Sequence, residues 1–392
     1  MPRPRRWGAR ELARLTAMVE QDSLFYWNGP QTAALLEAFR HHYPFAECFP
    51  TSSGSAAVHV AIAALRLQPG DEVIVPAITD MGSVIGVLYQ QAVPVFADVD
   101  PHTYNLDPVD VQRRLTARTR VIMPVHLAGT PCDLPSLRRL ARDHSLTIVE
   151  DCAQAWGARC EGEPVGLSAD LACYSFNDYK HLSCGDGGLV ASNQPRFEAQ
   201  LPKWGDKFYD RVTSERNPSE LAPNYRMSEP QAAVAAAQLD RLEEIVAARR
   251  RVGRQLHDGL IDVRAVLRPE VRPGDEASYW FYLVRLDLNR LSVNRDEFTR
   301  ALQAEGVPAE AGYIAQPVYR YSVFQHHCFF GGRWPARELG LTAMDYREVR
   351  CPTAEAILTD SVRLIVNEAM SESYVAKVIR AVRTVAARLE KS

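Results

Sequence analysis

The stretch VIMPVHLAGTPCDLPSLRRLARDHSLTIVED, residues 121–151, decides the fold. Residues 121–126 are an apolar, β-rich run. Asp133 caps a helix to about Asp143, and residues 146–150 are a second apolar run. Both runs are apolar on both faces, as strands buried in a parallel sheet are. The same alternation extends outward. Upstream lie a run at 72–77, a helical stretch near 81–90, a run at 93–98 and a helix opened by Asp107-Pro108 that carries Val111 and Leu115. Downstream come runs at 171–176 and 188–192. From about residue 50 to 195 the pattern predicts an α/β layer fold with right-handed crossovers.

Beyond it, residues 203–223 read as an irregular polar connector. A long helix is expected over 228–252, since it opens with Ser228-Glu-Pro, a cap followed by proline in the first turn. After about 253 the character changes: a strand over 279–287, a helix over 295–305 and a C-terminal helix over 371–389. This predicts a large α/β domain, with an N-terminal arm, over 1–245 and a smaller α+β domain over 246–392. No internal repeats or low-complexity tracts occur.

The 392 residues are 46% hydrophobic and 24% charged, with a net charge of −3. That balance argues against broad phosphate neutralisation on nucleic acid and against a disordered, solvating role. The N-terminus is basic but has no apolar core of a signal peptide. No run approaches the ~18 apolar residues of a membrane span. The eight cysteines are scattered without a C-x-x-C pair, so reduced thiols in a cytoplasmic protein are expected. His41–His42 and His326–His327–Cys328 lack the separated ligand pairs of a zinc site, and no metal is expected. Only five of the 45 basic residues are lysine: Lys180, Lys203, Lys207, Lys377 and Lys391. Chemistry that needs a side-chain amine has five candidates.

An open parallel sheet binds ligands at the carboxyl ends of its strands. Neither G-x-G-x-x-G after an early strand nor a Walker A sequence is present, which sets nicotinamide, flavin and nucleotide triphosphate readings aside. Three other features converge. Thr51-Ser-Ser-Gly54-Ser55-Ala56-Ala57 opens an apolar helix and offers free amides to a phosphate; the same residues also read as an ordinary N-cap. Asp151 ends a buried strand, where a carboxylate faces the ligand crevice or caps a helix. Lys180 follows a strand and precedes a Gly-rich turn, where it is either a surface lysine or a desolvated amine able to form a Schiff base. Phosphate seat, carboxylate and amine together are what pyridoxal phosphate requires.

At these residues the chain resembles the DegT/StrS-type aminotransferases, the sugar and aminocyclitol branch of the fold-type I pyridoxal-phosphate enzymes. The matching stretches are SSGSAAVHVAIAAL, PGDEVIVPA, AVPVFADVDPHTYNLDP, TRVIMPVHLAGTPCDL, IVEDCAQAWGA, SFNDYKHLSCGDGGLV and PNYRMSEPQAAVAAAQLDRL. The resemblance implies a large domain with a mostly parallel central sheet and a smaller α+β C-terminal domain. It implies that Lys180 is the Schiff-base lysine, that Asp151 pairs with the pyridinium nitrogen and that Gln154 contacts the ring hydroxyl. Ser175 and the Gly54-Ser55-Ala56 turn would hold the phosphate. Asn224 and Arg226 would reach the phosphate of a neighbouring subunit, which makes the protein a homodimer with shared sites.

One position departs from the family pattern. Asp80 stands where an aromatic residue usually stacks on the cofactor ring, so that either Met81 covers the ring or the face is open to substrate. A subset of the family carries histidine at the lysine position, and Lys180 sets this chain apart from it. The activity implied is transfer of an amino group from L-glutamate or L-glutamine to a ketosugar or keto-cyclitol, in amino-sugar or antibiotic biosynthesis. The segment around Tyr313, up to Tyr321, borders the acceptor pocket or is a packed loop between domains. Rival readings are a lyase or dehydratase-like enzyme of the 3-amino-5-hydroxybenzoate synthase type and a cofactor-binding regulator without catalysis. A desulfurase would need a mobile nucleophilic cysteine, and Cys184 lies in a tight turn.

Overall fold

The computed structural model describes residues 1–197 and 199–391. Its centre is a seven-stranded sheet. In chain order the strands are β1 (Glu47–Thr51), β2 (Glu72–Pro76), β3 (Val93–Ala97), β4 (Thr119–Ile122), β5 (Thr147–Asp151), β6 (Leu171–Ser175) and β7 (Gly188–Ser192). In space they run β1-β7-β6-β5-β4-β2-β3. The pairs from β6 to β3 are parallel, whereas β7 runs antiparallel to both β6 and β1.

β1 is a strand the sequence pattern did not mark. The reversed β7 makes the layer mostly parallel, as the family resemblance implies. β6 and β7 are joined by the loop 176–187, which carries Lys180 and holds no crossover helix, and the chain returns antiparallel. It also brings Gly188, the first residue of β7, level with Ser175 and Thr51, the last residues of β6 and β1.

The expected helix caps are present. The Asp107 side chain accepts from the Val109 amide at the head of Pro108–Arg114, and Asp133 from the Ser136 amide at the head of Leu134–Asp143. Ser371 caps Glu372–Leu389. The helix expected over 228–252 is instead two, Glu229–Leu239 and Leu242–Gly259, broken at Asp240-Arg241. Asp240 is an intrinsically weak helix former that closes the first helix. The polar connector contains a short helix, Gln200–Gly205.

A four-stranded antiparallel sheet follows, with β8 (Val266–Leu267), β9 (Phe281–Leu286), β10 (Ala309–Ala311) and β11 (Ser361–Ile365) in the order β8-β9-β11-β10. The boundary expected at 245/246 falls inside helix Leu242–Gly259. Ile245 and Val246 of that helix belong to the large-sheet core, and Val252 and Leu256 to the core of the small sheet. Val318, Phe324, Trp334 and Ile357 pack into the core that covers the large sheet, so the C-terminal segment is not confined to the small sheet. Among the described residues no helix is long and apolar enough to cross a membrane.

Candidate active site

The carboxyl ends of β1, β2, β5 and β6 and the start of β7 meet around a 220 Å³ cavity. Ser53, Gly54, Ser55, Asp80, Gly82, Ser83, Asp151, Gln154, Ser175, Asn177, Lys180 and Asp186 line it. Larger hollows exist elsewhere, including one of 610 Å³ beside Tyr26, Lys203 and Arg211, and they lack this combination of groups.

Helix Gly54–Ala64 points its N-terminus into the cavity. Ser53 is extended and caps it, accepting from the Ala56 amide at 3.1 Å. The first helical bond takes the Ala57 amide. The amides of Gly54 and Ser55 are thereby left for an anion, at the positive end of the helix dipole. The turn is packed to the limit. A Cβ on Gly54 would stand 2.8 Å from the Ser175 Cβ, one on Gly82 2.5 Å from the Ser55 Oγ, and one on Gly188 2.3 Å from the Ser53 carbonyl oxygen. Ser175 Oγ itself accepts from the Asn177 amide at 3.2 Å.

Alternation along β5 sends Asp151 into the cavity and Glu150 to the opposite face. Asp151 is 5% exposed. Ser83 Oγ donates to its Oδ2 at 2.7 Å, and the Ala153 amide to its Oδ1 at 3.0 Å. With its proton spent there, Ser83 accepts from Thr79 Oγ1 at 2.7 Å. Burial pushes the Asp151 carboxyl above its ordinary range, and the Ser83 and Ala153 hydrogen bonds and Lys180 oppose it. A cation at the open side of this carboxylate would complete its partners. On the far face Glu150 takes His126 Nε2 at 3.0 Å and the Gly166 amide at 2.6 Å. Cys152 lies close by, and His126 Nδ1 accepts the Cys132 amide at 3.1 Å, so both ring nitrogens are engaged while Glu150 Oε1 makes no hydrogen bond among the described residues.

Lys180 is the lysine that lines this cavity. Lys203 is paired with Asp210 at 2.9 Å, Lys207 lies over the Tyr209 ring, and Lys391 is bonded to the carbonyls of Leu288 and Asn289. Burial pulls the Lys180 amine down from 10.5 to about 8, against the pull of Asp151 and Asp80 toward the charged form. At pH 7 about a tenth of it is neutral, against about one part in 3,000 for an ordinary lysine. This is the condition a nucleophilic amine needs.

The remaining residues divide. Gln154 accepts from the Ala128 amide at 2.9 Å and donates to the Tyr313 hydroxyl at 3.2 Å, so its amide is fixed at the cavity wall. Tyr313 stands behind it, packed against Trp280 and Phe281. Asp80 lines the cavity, and its Oδ1 accepts the Gly82 amide at 2.8 Å at the head of helix Gly82–Tyr89. Met81, offered as a ring cover, packs against the core instead and does not line the cavity. Ala56 supports the cap rather than the lining. Asn224 and Arg226 are not brought to this cavity. Arg226 pairs with buried Asp206 at 3.1 Å beneath Phe25, and Asn224 bridges to the same aspartate's backbone. Burial pushes the Cys184 thiol up to about 12, which removes it as a nucleophile.

Four contributors escaped the sequence reading: Ser83, Asn177, Asp186 and Trp280. Ser83 carried a usable signal, a hydroxyl one helical turn beyond Thr79. Trp280 carried none, because its place at Lys180 depends on how the small sheet meets the large one.

A model of the DegT/DnrJ/EryC1/StrS aminotransferase family matches residues 6–383. The chain belongs to this family. It is 35% identical over 291 residues to the GDP-perosamine synthase of Caulobacter vibrioides, covering 74% of this chain and 77% of that one. It is 31% identical over 339 residues to the UDP-N-acetyl-3-dehydro-alpha-D-glucosamine 3-aminotransferase of Acidithiobacillus ferrooxidans, covering 85% and 82%. The structure superposes on that of a 3-amino-5-hydroxybenzoic acid synthase with a TM-score of 0.87 at 27% identity, covering 99% and 98%. The protein is thus a fold-type I aminotransferase of the sugar-aminotransferase family.

Proposed function

We propose that this enzyme uses pyridoxal phosphate to move an amino group from L-glutamate or L-glutamine to a ketosugar or keto-cyclitol. The observation that carries the reading is one cavity holding a buried amine with a pKa near 8, a buried carboxylate and a serine/glycine cradle at a helix N-terminus. The cradle is too tight for any side chain at Gly54 yet leaves two amides free, which fits a phosphate group. Gly54, Ser55 and Ser175 would hold that phosphate, Asp151 the ring nitrogen, Gln154 the ring hydroxyl, and Lys180 the carbonyl carbon. When bound, pyridoxal phosphate supplies the carbonyl that exchanges amines and the ring that draws off electrons.

The chain's own part is proton handling and orientation. Asp151, kept ionised by Ser83 and a cation at its open side, holds the electron-poor state of whatever ring nitrogen it faces. Lys180 Nζ, near neutral pKa, takes the α-proton of the donor and returns it on the way to product. The names of the curated relatives support a sugar acceptor.

Arg226, Arg211 and Tyr26 converge on one aspartate, Asp206, so the two cations outnumber their counter-ion. We place this cationic group at the phosphate of a second subunit, with Asn224 beside it, in a homodimer with shared sites. The eight free thiols suit a reducing cytoplasm. The likeness to the hydroxybenzoic acid synthase favours, as a second reading, an enzyme that couples the same lysine to elimination; product analysis separates the two.

The test is direct. The purified protein should show a visible band that borohydride abolishes, with the reduced adduct on Lys180. An adduct on Lys203, or none, overturns the reading. Glutamate should convert the band to the amine form of the cofactor. A screen of nucleotide-linked ketosugars and keto-cyclitols against that form then identifies the acceptor.

A further inference from the structure

The loop that carries Lys180 belongs to no helix or strand, so its backbone must find other partners. The Asn177 carbonyl accepts the Lys180 amide at 2.9 Å. The next three carbonyls are claimed by side chains far away in sequence. Arg6 of the N-terminal arm donates to the carbonyls of Asp178 and Lys180, the latter at 2.6 Å. Trp280 Nε1 donates to that of Tyr179 at 2.6 Å. Trp280 is itself anchored, since its amide donates to the Ala128 carbonyl at 2.8 Å and its ring packs edge-on against Tyr313.

The same indole turns its face to the lysine. Lys180 Nζ lies 3.7 Å from the centre of the Trp280 ring. Among the described residues this ammonium makes no hydrogen bond and no ion pair. Asp151 on β5 and Asp80 after β2 act on it from a distance, His181 beside it is buried and neutral, and Arg6 lies at its backbone.

We propose that Trp280 is the positioning residue for Lys180: its N–H pins the loop and its ring face is where the ammonium rests when the amine is not bonded to carbon. A ring face suits this task better than a carboxylate. It attracts the charged form through the quadrupole but has no basic atom, so it releases the neutral amine at little cost. A carboxylate in contact would hold the proton on the lysine. The proposal rests on Lys180 being the reactive amine, and it adds the residue that keeps that amine in place.

The experiment uses the full chain freed of cofactor, so its outcome does not depend on turnover or on finding an acceptor. Acetylation of Lys180 by limiting acetic anhydride, read by mass spectrometry of its peptide, is followed over roughly pH 6 to 11. The native chain should show a midpoint of about 8. Trp280→Leu should lower it by about half a unit to one unit, because the ammonium loses its ring while the site stays apolar. Trp280→Phe, which keeps a ring face but loses the N–H that holds the Tyr179 carbonyl, should fall between native and Trp280→Leu. If Trp280→Leu does not fold, global replacement of tryptophan by fluorinated analogues keeps the shape and should lower the midpoint stepwise with fluorine number. A midpoint that rises in Trp280→Leu, or that ignores both the side chain and the fluorination, overturns the proposal. A missing borohydride adduct in the native enzyme would instead overturn the cofactor assignment and leave this titration standing.

Discussion

Asp151 is a buried carboxylate whose fixed partners are one hydroxyl and one amide. Ser83→Ala removes the hydroxyl. A hydrogen bond to a charged group contributes about 1.5–3 kcal/mol, so the carboxyl should titrate higher and cofactor affinity should fall about tenfold to a hundredfold, while Ser83→Thr retains both. Equilibrium titration of the variant with pyridoxal phosphate measures this. Asp80 is a second test at this scale. It raises the Lys180 pKa and also caps a helix through Oδ1. Asp80→Asn keeps an acceptor for the Gly82 amide and removes the charge, so the acetylation midpoint of Lys180 should fall below about 8 with folding unchanged. The placement of Lys180, Asp151 and Gly54 at one cavity was legible because their chemistry is tied to residue type and to the ends of strands, while Ser175 was named only through the family resemblance. Trp280 and Arg6 were not, because a carbonyl 100 or more residues away leaves no local trace.

At the scale of elements, helix Gly54–Ala64 carries a titratable residue behind the end that opens into the cavity. His59 Nδ1 lies 2.9 Å from the Tyr225 hydroxyl and its Nε2 2.9 Å from Gln90 Nε2. Burial lowers its pKa from 6.5 to about 4. The folded protein therefore holds this ring neutral where the unfolded chain has charged it. Its contribution is intact above pH 6.5 and is lost progressively as pH falls toward 4. Urea unfolding at pH 7 and at about pH 4.5 should show His59→Gln losing about 2 kcal/mol less than the native chain over that interval. Buried His181 is shared by both chains and drops out of the comparison. The strands and capped helices were legible because caps and apolar runs are local signals. The break at Asp240-Arg241 was not, since one weak helix former such as Asp240 inside a long helical pattern is too small a signal to mark an end.

At the scale of the molecule, one chain supplies the amine, the buried carboxylate and the cradle, but among the described residues no arginine lines the cavity. Asp80, Asp151 and Asp186 outnumber Lys180 there, an unfavourable field for a phosphate. A surplus of positive charge sits at Arg211 and Arg226 on Asp206, beside the 610 Å³ hollow lined by Tyr26 and Phe49. If a second subunit brings that group to the cradle, the defects of Lys180→Ala and Arg226→Ala lie in different chains of one site. Each variant alone should be nearly inactive. Mixed and allowed to exchange, half of the dimers are hybrids, and each hybrid has one site with both residues intact, so activity should return to about a quarter of native. The activity of the mixture over time, with native mass spectrometry to count hybrids, reads this out. Hybrids that form without recovering activity would put Arg226 in the same site as the Lys180 of its own chain, or in no site at all.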